Sequence, residues 1–517
     1  MGILLTLFYV ATAYLAASTV LGGLAEYHVQ VYIALLIIAI SVFQVRGSHI
    51  FRYPQTYAIL LFPLPLACSL ALAGVTSLIP SNLQDFFPTA AVFFFIVLNF
   101  RTLNHLKWLV GMLMLAALFI IVQGIVGMNA VDYNNPYVMF MRVGEDGADT
   151  IMRLRGLGFL NDPNDLTQVL VGLIPLSFIF WRKNSYFNNT AFVLFPVIML
   201  IYGMFLTHSR GGMVALLAMV IFMGRRKVGI LPSVLGGGLL YLALSVAGWS
   251  GGRDLSASAG TDRMDAWGEG LSLLHQHPLF GIGFNRFAEN YEITAHNTVV
   301  VCFAEVGLIG FFLWMMLIVC TMRDVNSGAR PPVESDESRQ KKLENESTFA
   351  RLLRTRQAVS APLAETPMLE AAVAGGPPGM AFRREVRRQP AIADRFSAGT
   401  LPDDSGSPQT FRRIAARVFP SPNHEDTSDE EIRRICNLVI GSLVTFFTAG
   451  WFLSRAYTMP LFLNMGIGMV VYRMAWERGL APAPLGFVKA AKLAVLACLA
   501  MLMAIYLIIR LDHLLPK

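Results

Sequence analysis

Apolar runs of about 18 residues or more recur from the first residues of the chain to the last, separated by short stretches rich in Arg, Lys, Pro and Gly. Runs of that length, wound as helices, cross the hydrocarbon core of a bilayer. The pattern predicts helices at roughly 3–22, 29–45, 55–79, 86–100, 107–127, 164–181, 190–207, 211–224, 228–249, 296–322, 435–454, 456–474 and 491–510. The eighth run is short and the last is flanked by Lys489 and Lys492, so 12 or 13 crossings are expected. The fold class is all-α, a polytopic membrane protein. Its expected parts are N-terminal helices at 1–127, a core at 128–322 with long loops at 128–163 and 250–295, a non-membrane segment at 323–434, and C-terminal helices at 435–517.

Composition agrees. Of 517 residues, 55% are hydrophobic and 15% charged, against about 25% charged in soluble domains. A soluble enzyme, a coiled coil and a disordered scaffold are excluded. The net charge of +7 does not point to nucleic acid, because groove-reading motifs and an arginine stripe are missing. The cations sit instead in short clusters between runs. Arg46 and Arg52 follow the second helix, Arg101 and Lys107 the fourth, Arg182 and Lys183 the sixth, Arg225 to Lys227 the eighth, and Arg473 and Arg478 the twelfth. Every second connection is basic, which assigns those connections and the N-terminus to the cytoplasm. Residues 128–163, 207–211 and 250–295 then lie on the opposite face. The N-terminus lacks the basic region of a cleaved signal, so 3–22 is expected to be the first membrane helix.

Residues 323–434 contain no apolar run, many Pro and Ser, and closely mixed charges. Such a segment buries too little surface to offset its ordering entropy, so a disordered cytoplasmic insertion is expected. A tolerated loop and a docking segment are both compatible with it. The five cysteines lie far apart, mostly within apolar runs, and no metal-ligand spacing occurs. They are expected to be small core residues, with no metal and no cofactor bound.

Four polar groups on the non-cytoplasmic face carry candidate chemistry. The first runs from Arg153 through Arg155 to Asn161, Asp162, Pro163, Asn164 and Asp165. Asp162 before a proline suits a helix cap; alternatively Arg155, Asp162 and Asn164 line a polar cavity. The second is Thr207-His208-Ser209-Arg210-Gly211-Gly212. The glycines fit a tight turn, but Arg210 stands where arginine is under-represented. It either snorkels to the interface or grips a phosphate with its planar fork. In the third, Met264, Trp267, Leu271 and Leu274 have the spacing of an interfacial helix. Arg263 opens that helix, expected over 263–274, and is either a solvated charge or the partner of a bound anion. This helix is followed by His277-Pro278-Leu279-Phe280-Gly281-Ile282-Gly283.

The fourth group, His296-Asn297-Thr298, opens a helix on which His296, Val300, Phe303, Gly307 and Gly310 share a face at 100° per residue. The small residues permit close approach of another helix. Glu305 lies on the other face, about 14 Å deeper, and is either a functional carboxylate or a helix-bridging one. Arg210 and Arg263 can hold phosphate and His296 can move a proton near neutral pH. That set suits glycan transfer from a lipid-linked diphosphate to an external hydroxyl.

These stretches resemble the O-antigen ligase and polymerase superfamily of bacterial inner-membrane glycosyltransferases. The likeness rests on Gly158-Phe159-Leu160-Asn161-Asp162-Pro163-Asn164, Ser209-Arg210-Gly211-Gly212, His277 to Gly283, and His296-Asn297 with a nine-residue gap to Gly307 and two more residues to Gly310. It covers about 155–310. The resemblance implies a GT-C-like fold, a periplasmic active site, an undecaprenyl-diphosphate-linked oligosaccharide donor and metal-independent direct displacement. It implies a glycan or lipid A–core acceptor, and hence a place in lipopolysaccharide or exopolysaccharide synthesis. By position Arg210 and Arg263 match the family's pyrophosphate-binding arginines and His296 its catalytic histidine. Arg155, Asp162, Asn164, Ser209 and Asn297 are expected to bind substrate. The segment 323–434 departs from the family pattern, and no family residue can be placed beyond it. The competing readings are a polysaccharide transporter or flippase, and a protein O-glycosyltransferase. A transporter would be expected to show repeats and buried midplane polar groups, and neither is visible.

Overall fold

A computed structural model describes residues 1–17, 29–143, 149–225, 227–249, 257–291, 294–330 and 428–514. Among the described residues, each of the thirteen apolar runs carries helix. Among the described residues eight helices are long and apolar enough to cross a membrane, and shorter apolar helices occupy Gly2–Tyr14, Gln30–Val42, Arg210–Gly224 and Ile230–Val246. The protein is an all-α, multi-pass membrane protein.

Local chemistry sets the helix boundaries. The expected span at 55–79 is interrupted, because Pro63 starts a new helix at Pro63–Leu72 after Pro54–Leu61, proline having no N–H for the preceding turn. Asp162 caps Pro163–Ser177 by accepting the Asn164 N–H at 2.7 Å, with Pro163 in the first turn. Ser428 caps Asp429–Gly450, and three acidic residues occupy that helix's first turn, where the helix dipole favours anions. This helix begins six residues earlier than expected, and Thr298–Gly328 runs six residues beyond 322. The expected disordered segment is therefore too long at both ends, since charged residues such as Arg323, Asp324 and Glu431 extend buried helices past the apolar runs. Residues 331–427 lie outside the described residues.

Loop 128–163 departs from the all-helical expectation. Val138–Val143 and Asp149–Leu154 form an antiparallel hairpin in which Met139 opposes Arg153. The stretch 136–143 runs almost continuously apolar, so it carries little of the two-residue alternation that marks a strand.

Among the eight candidate spans, Thr298–Gly328 and Pro163–Phe180 are the most buried, each 83% over its apolar window, against 22% for Phe487–Asp512. Asp429–Gly450 packs against Pro163–Ser177, Arg210–Gly224 and Thr298–Gly328. The connections sort to two ends of this bundle. At one end Arg473 donates to the carbonyls of Val97 (2.8 Å) and Phe100, Gln55 to Asp324 (2.9 Å), and Arg478 pairs with Asp429 (3.7 Å). These are the basic connections. The other end gathers the described residues of 128–162, 207–210, 277–297 and 451–458, joined by contacts such as Arg153 to Thr207 and His296 to Ser454.

The Thr298–Gly328 helix is broken at Gly307, whose φ is +63°. Chain 278–283 docks into the break. The N–H groups of Ile282 and Gly283 donate to the carbonyls of Ala304 and Glu305, and those of Leu308 and Ile309 donate to Pro278 and Leu279. The break would otherwise strand these groups in the membrane, where an unpaired amide or carbonyl is costly. Gly307 and Gly281 (φ +72°) both need the left-handed region, and a Cβ on either would collide with the other segment's backbone. The shared helical face expected for His296 through Gly310 therefore ends at Gly307. Its close neighbour is an extended segment rather than a helix; Gly310 does meet a helix, at Pro65.

Candidate active site

The site is built around a turn whose backbone is held from several sides. His296 has φ +46°, a conformation that histidine adopts more readily than most side chains but that still needs support. Trp267 Nε1 donates to the Ala295 carbonyl at 2.8 Å. The His296 N–H donates to Ser454 Oγ at 2.9 Å. Thr298 Oγ1 donates to the Leu453 carbonyl at 2.9 Å. Asn297 Oδ1 accepts the N–H groups of Val299 and Val300, capping the long helix. Trp267 also packs edge-on against Trp451, their centroids 5.6 Å apart. The backbone is over-determined while the imidazole stays exposed.

Arg210 is presented by a second strained turn. His208 has φ +51°, so it turns the chain, and the two glycines lie within the helix that follows. Ser209 caps that helix through the Gly212 N–H at 3.2 Å. A Cβ on Gly212 would strike the side chain of Thr167, and one on Gly211 would come within 2.7 Å of Phe452 Cβ. Small residues here bring the start of the helix against its neighbours, which corrects the tight-turn reading of the pair. Trp249 is fully buried and donates from Nε1 to the Ser209 carbonyl at 2.8 Å, while its own carbonyl lies 3.0 Å from His208 Nδ1.

Arg153 locks the hairpin to both helix starts. It is buried, donating from Nε to the Thr207 carbonyl (2.8 Å) and from Nη2 to Asn164 Oδ1 (3.4 Å). Arg155 instead turns to the Pro136 carbonyl at 3.0 Å. At the start of the Pro163–Ser177 helix, Asp165 pairs with Arg455 at 3.1 Å.

The polar residues share one electrostatic field. His296 has its pKa lowered from 6.5 by desolvation and then by the Arg263 charge, against a smaller raising effect of Asp162. The Arg263 guanidinium is lowered by burial and by Arg210. Arg153 is lowered by burial and by Arg210, and raised by Asp162. Arg153, Asp162, Arg210, Arg263 and His296 therefore form one cluster, drawn from four separate stretches of chain. Like charges held together favour an anion between them, because their mutual repulsion is relieved when it binds.

Residues 195–315 match the O-antigen ligase family model. The matched segment carries Arg210, Arg263, His296 and the docked segment 278–283, and it supports a general role in glycan transfer. No curated protein matches the chain.

Of the expected site residues, Arg210, Arg263, His296 and Asp162 come together. Asn164 joins them through Arg153. Ser209 and Asn297 are buried caps, their side-chain oxygens occupied by backbone N–H groups. Glu305, left open between functional and bridging roles, accepts backbone N–H groups of Asn285, Arg286 and Phe287, the last at 3.2 Å, and so ties the site's outer loop to the central helix. Three residues of the site were not singled out by the sequence pattern: Arg153, Ser454 and Arg455. Arg455 had a readable signal, since it is a cation between two apolar runs on the face that disfavours cations, as Arg210 is.

Proposed function

We propose that this protein transfers a glycan from an undecaprenyl-diphosphate-linked donor to an acceptor hydroxyl at the periplasmic face of a bacterial inner membrane. The observation that carries the reading is the cluster of Arg153, Arg210 and Arg263 around an exposed histidine whose pKa is lowered, at the end of a membrane bundle opposite the basic connections. Arg210 and Arg263 hold the diphosphate and neutralise the charge that grows on it as it departs. His296, neutral near pH 7 because its pKa is lowered, accepts the proton of the acceptor hydroxyl. The hydroxyl oxygen bonds to the anomeric carbon as that carbon's bond to the diphosphate oxygen breaks, and lipid diphosphate leaves. One proton moves to the imidazole, one bond forms and one breaks, and the balance requires no metal. Asp162 and Asn164 border the donor through Arg153. The matched family segment agrees with this class of reaction.

The acceptor is lipid A–core if the enzyme is a ligase and a second lipid-linked repeat if it is a polymerase. The envelope glycans of a deletion strain separate the two. Polymer still made but missing from lipopolysaccharide identifies the ligase, and single repeats alone identify the polymerase. The chemistry is tested with purified protein and lipid-linked donor under single-turnover conditions. His296→Ala should slow transfer by about 10² to 10⁴, and transfer at the parent rate would reject the mechanism.

A further inference from the structure

The loop that follows Asp429–Gly450 lies outside the matched family segment, yet it reaches the centre of the site. Ser454 accepts the His296 N–H, and the next residue, Arg455, forms the ion pair with Asp165. The pair is lopsided. The Asp165 side chain is 7% exposed, whereas that of Arg455 is 49% exposed. The ion pair is made at Nε, 3.1 Å from Asp165 Oδ2, so the terminal amino groups are not engaged by this contact. A guanidinium tethered on one edge has lost part of its rotamer freedom before any ligand arrives, which lowers the entropic cost of a second contact.

Arg455 also lines a cavity of about 180 Å³. Its polar lining residues are Arg455, Thr298 and Gln168, and the rest includes Trp314, Met315 and Phe447. A cation in the lining of a largely apolar hollow, one residue from the group that holds the His296 turn, matches an amphiphile with an anionic head.

We propose that Arg455 is a further substrate-binding residue, contacting the lipid-proximal phosphate of the donor, with Asp165 as the positioning residue that presents it. The inference rests on the donor class proposed above. The C-terminal helices thus contribute directly to the site.

The test uses the full chain in detergent, with undecaprenyl diphosphate as the binding probe and lipid-linked donor as the substrate. Arg455→Gln should weaken binding of the probe and raise KM for the donor by about tenfold or more, as expected for loss of a charge-assisted contact, with kcat within about threefold of the parent. Arg455→Lys keeps the charge and the tether to Asp165 but loses the fork, and should fall between the two. If Arg455→Gln does not fold, Arg455→Lys must still weaken the probe. Asp165→Asn leaves the guanidinium in place but untethered, and should weaken the probe less than Arg455→Gln does. Parent affinity in a folded Arg455 variant overturns the inference, as does an equal loss in Asp165→Asn and Arg455→Gln accompanied by a lowered unfolding temperature and unchanged KM. A parent protein that neither binds the probe nor transfers from the donor overturns the proposed function itself.

Discussion

His296 combines a fixed backbone with an exposed ring, and the charges around it set its proton affinity. A general base works only when neutral. Desolvation and Arg263 both lower the His296 pKa from 6.5, so the imidazole stays neutral at pH 7 and transfer should fail only as pH drops below its lowered pKa. Arg263→Gln removes a lowering influence, so the acid limb of the pH–rate profile should move to higher pH. Asp162→Asn removes a raising influence and should move the limb the other way. The position of the limb in kcat/KM is the measurement, independent of the height of the plateau, and an unmoved limb in both variants would remove His296 from the proton step. Arg210→Lys should behave differently from His296→Ala. Lysine keeps the charge but not the bidentate fork, so transfer should drop by roughly one to two decades with donor affinity falling alongside. His296→Ala should retain donor affinity, because the proton leaves the acceptor only during reaction.

At the scale of elements, the site depends on a helix that is made to break. Gly307 interrupts Thr298–Gly328 so that segment 278–283 can insert, and the segment's amides and carbonyls take over the pairing the helix gives up. Gly307→Ala places a methyl group against the Leu279 carbonyl in a backbone region that disfavours alanine. The expected cost is about 1–3 kcal/mol from the strained conformation alone, with the clash added. The thermal midpoint in detergent should fall, and transfer should fall with it because the segment leads to the 285–287 loop held by Glu305. A midpoint equal to the parent's would show that the helix closes without the segment. The 3.6-residue pattern could not reveal this. Periodicity runs straight through Gly307, and only the docked segment shows that the glycine marks a break.

For the molecule as a whole, topology is the proposal with the widest consequences. The basic connections gather at one end of the bundle and the arginine–histidine cluster at the other, so the two groups must face opposite compartments. Cysteines introduced at 210, 263 and 296 should react with a membrane-impermeant maleimide in intact spheroplasts, whereas one at 183 should react only after lysis. The parent, with its five native cysteines, gives the background. Protection of the first three until lysis would invert the topology and remove the site from the periplasm.

The membrane class and the all-α, multi-pass fold were legible in the chain alone, because both follow from apolar length and local charge. The sequence also marked Arg210, Arg263 and His296, since cations on the face that disfavours them stand out without any knowledge of contacts. Which neighbours they have was decided by tertiary structure alone. Arg153 rather than Arg155 enters the cluster because the hairpin register aims it at Thr207 and Asn164. Ser209 and Asn297 prove to be caps because their oxygens meet backbone N–H groups of helices that start one residue later. Ser454 reaches His296 across more than 150 positions of chain, and Arg455 reaches Asp165, because the helices that carry them pack side by side. Separation in sequence carries no trace of such contacts, and the pairing exists only once the bundle has closed.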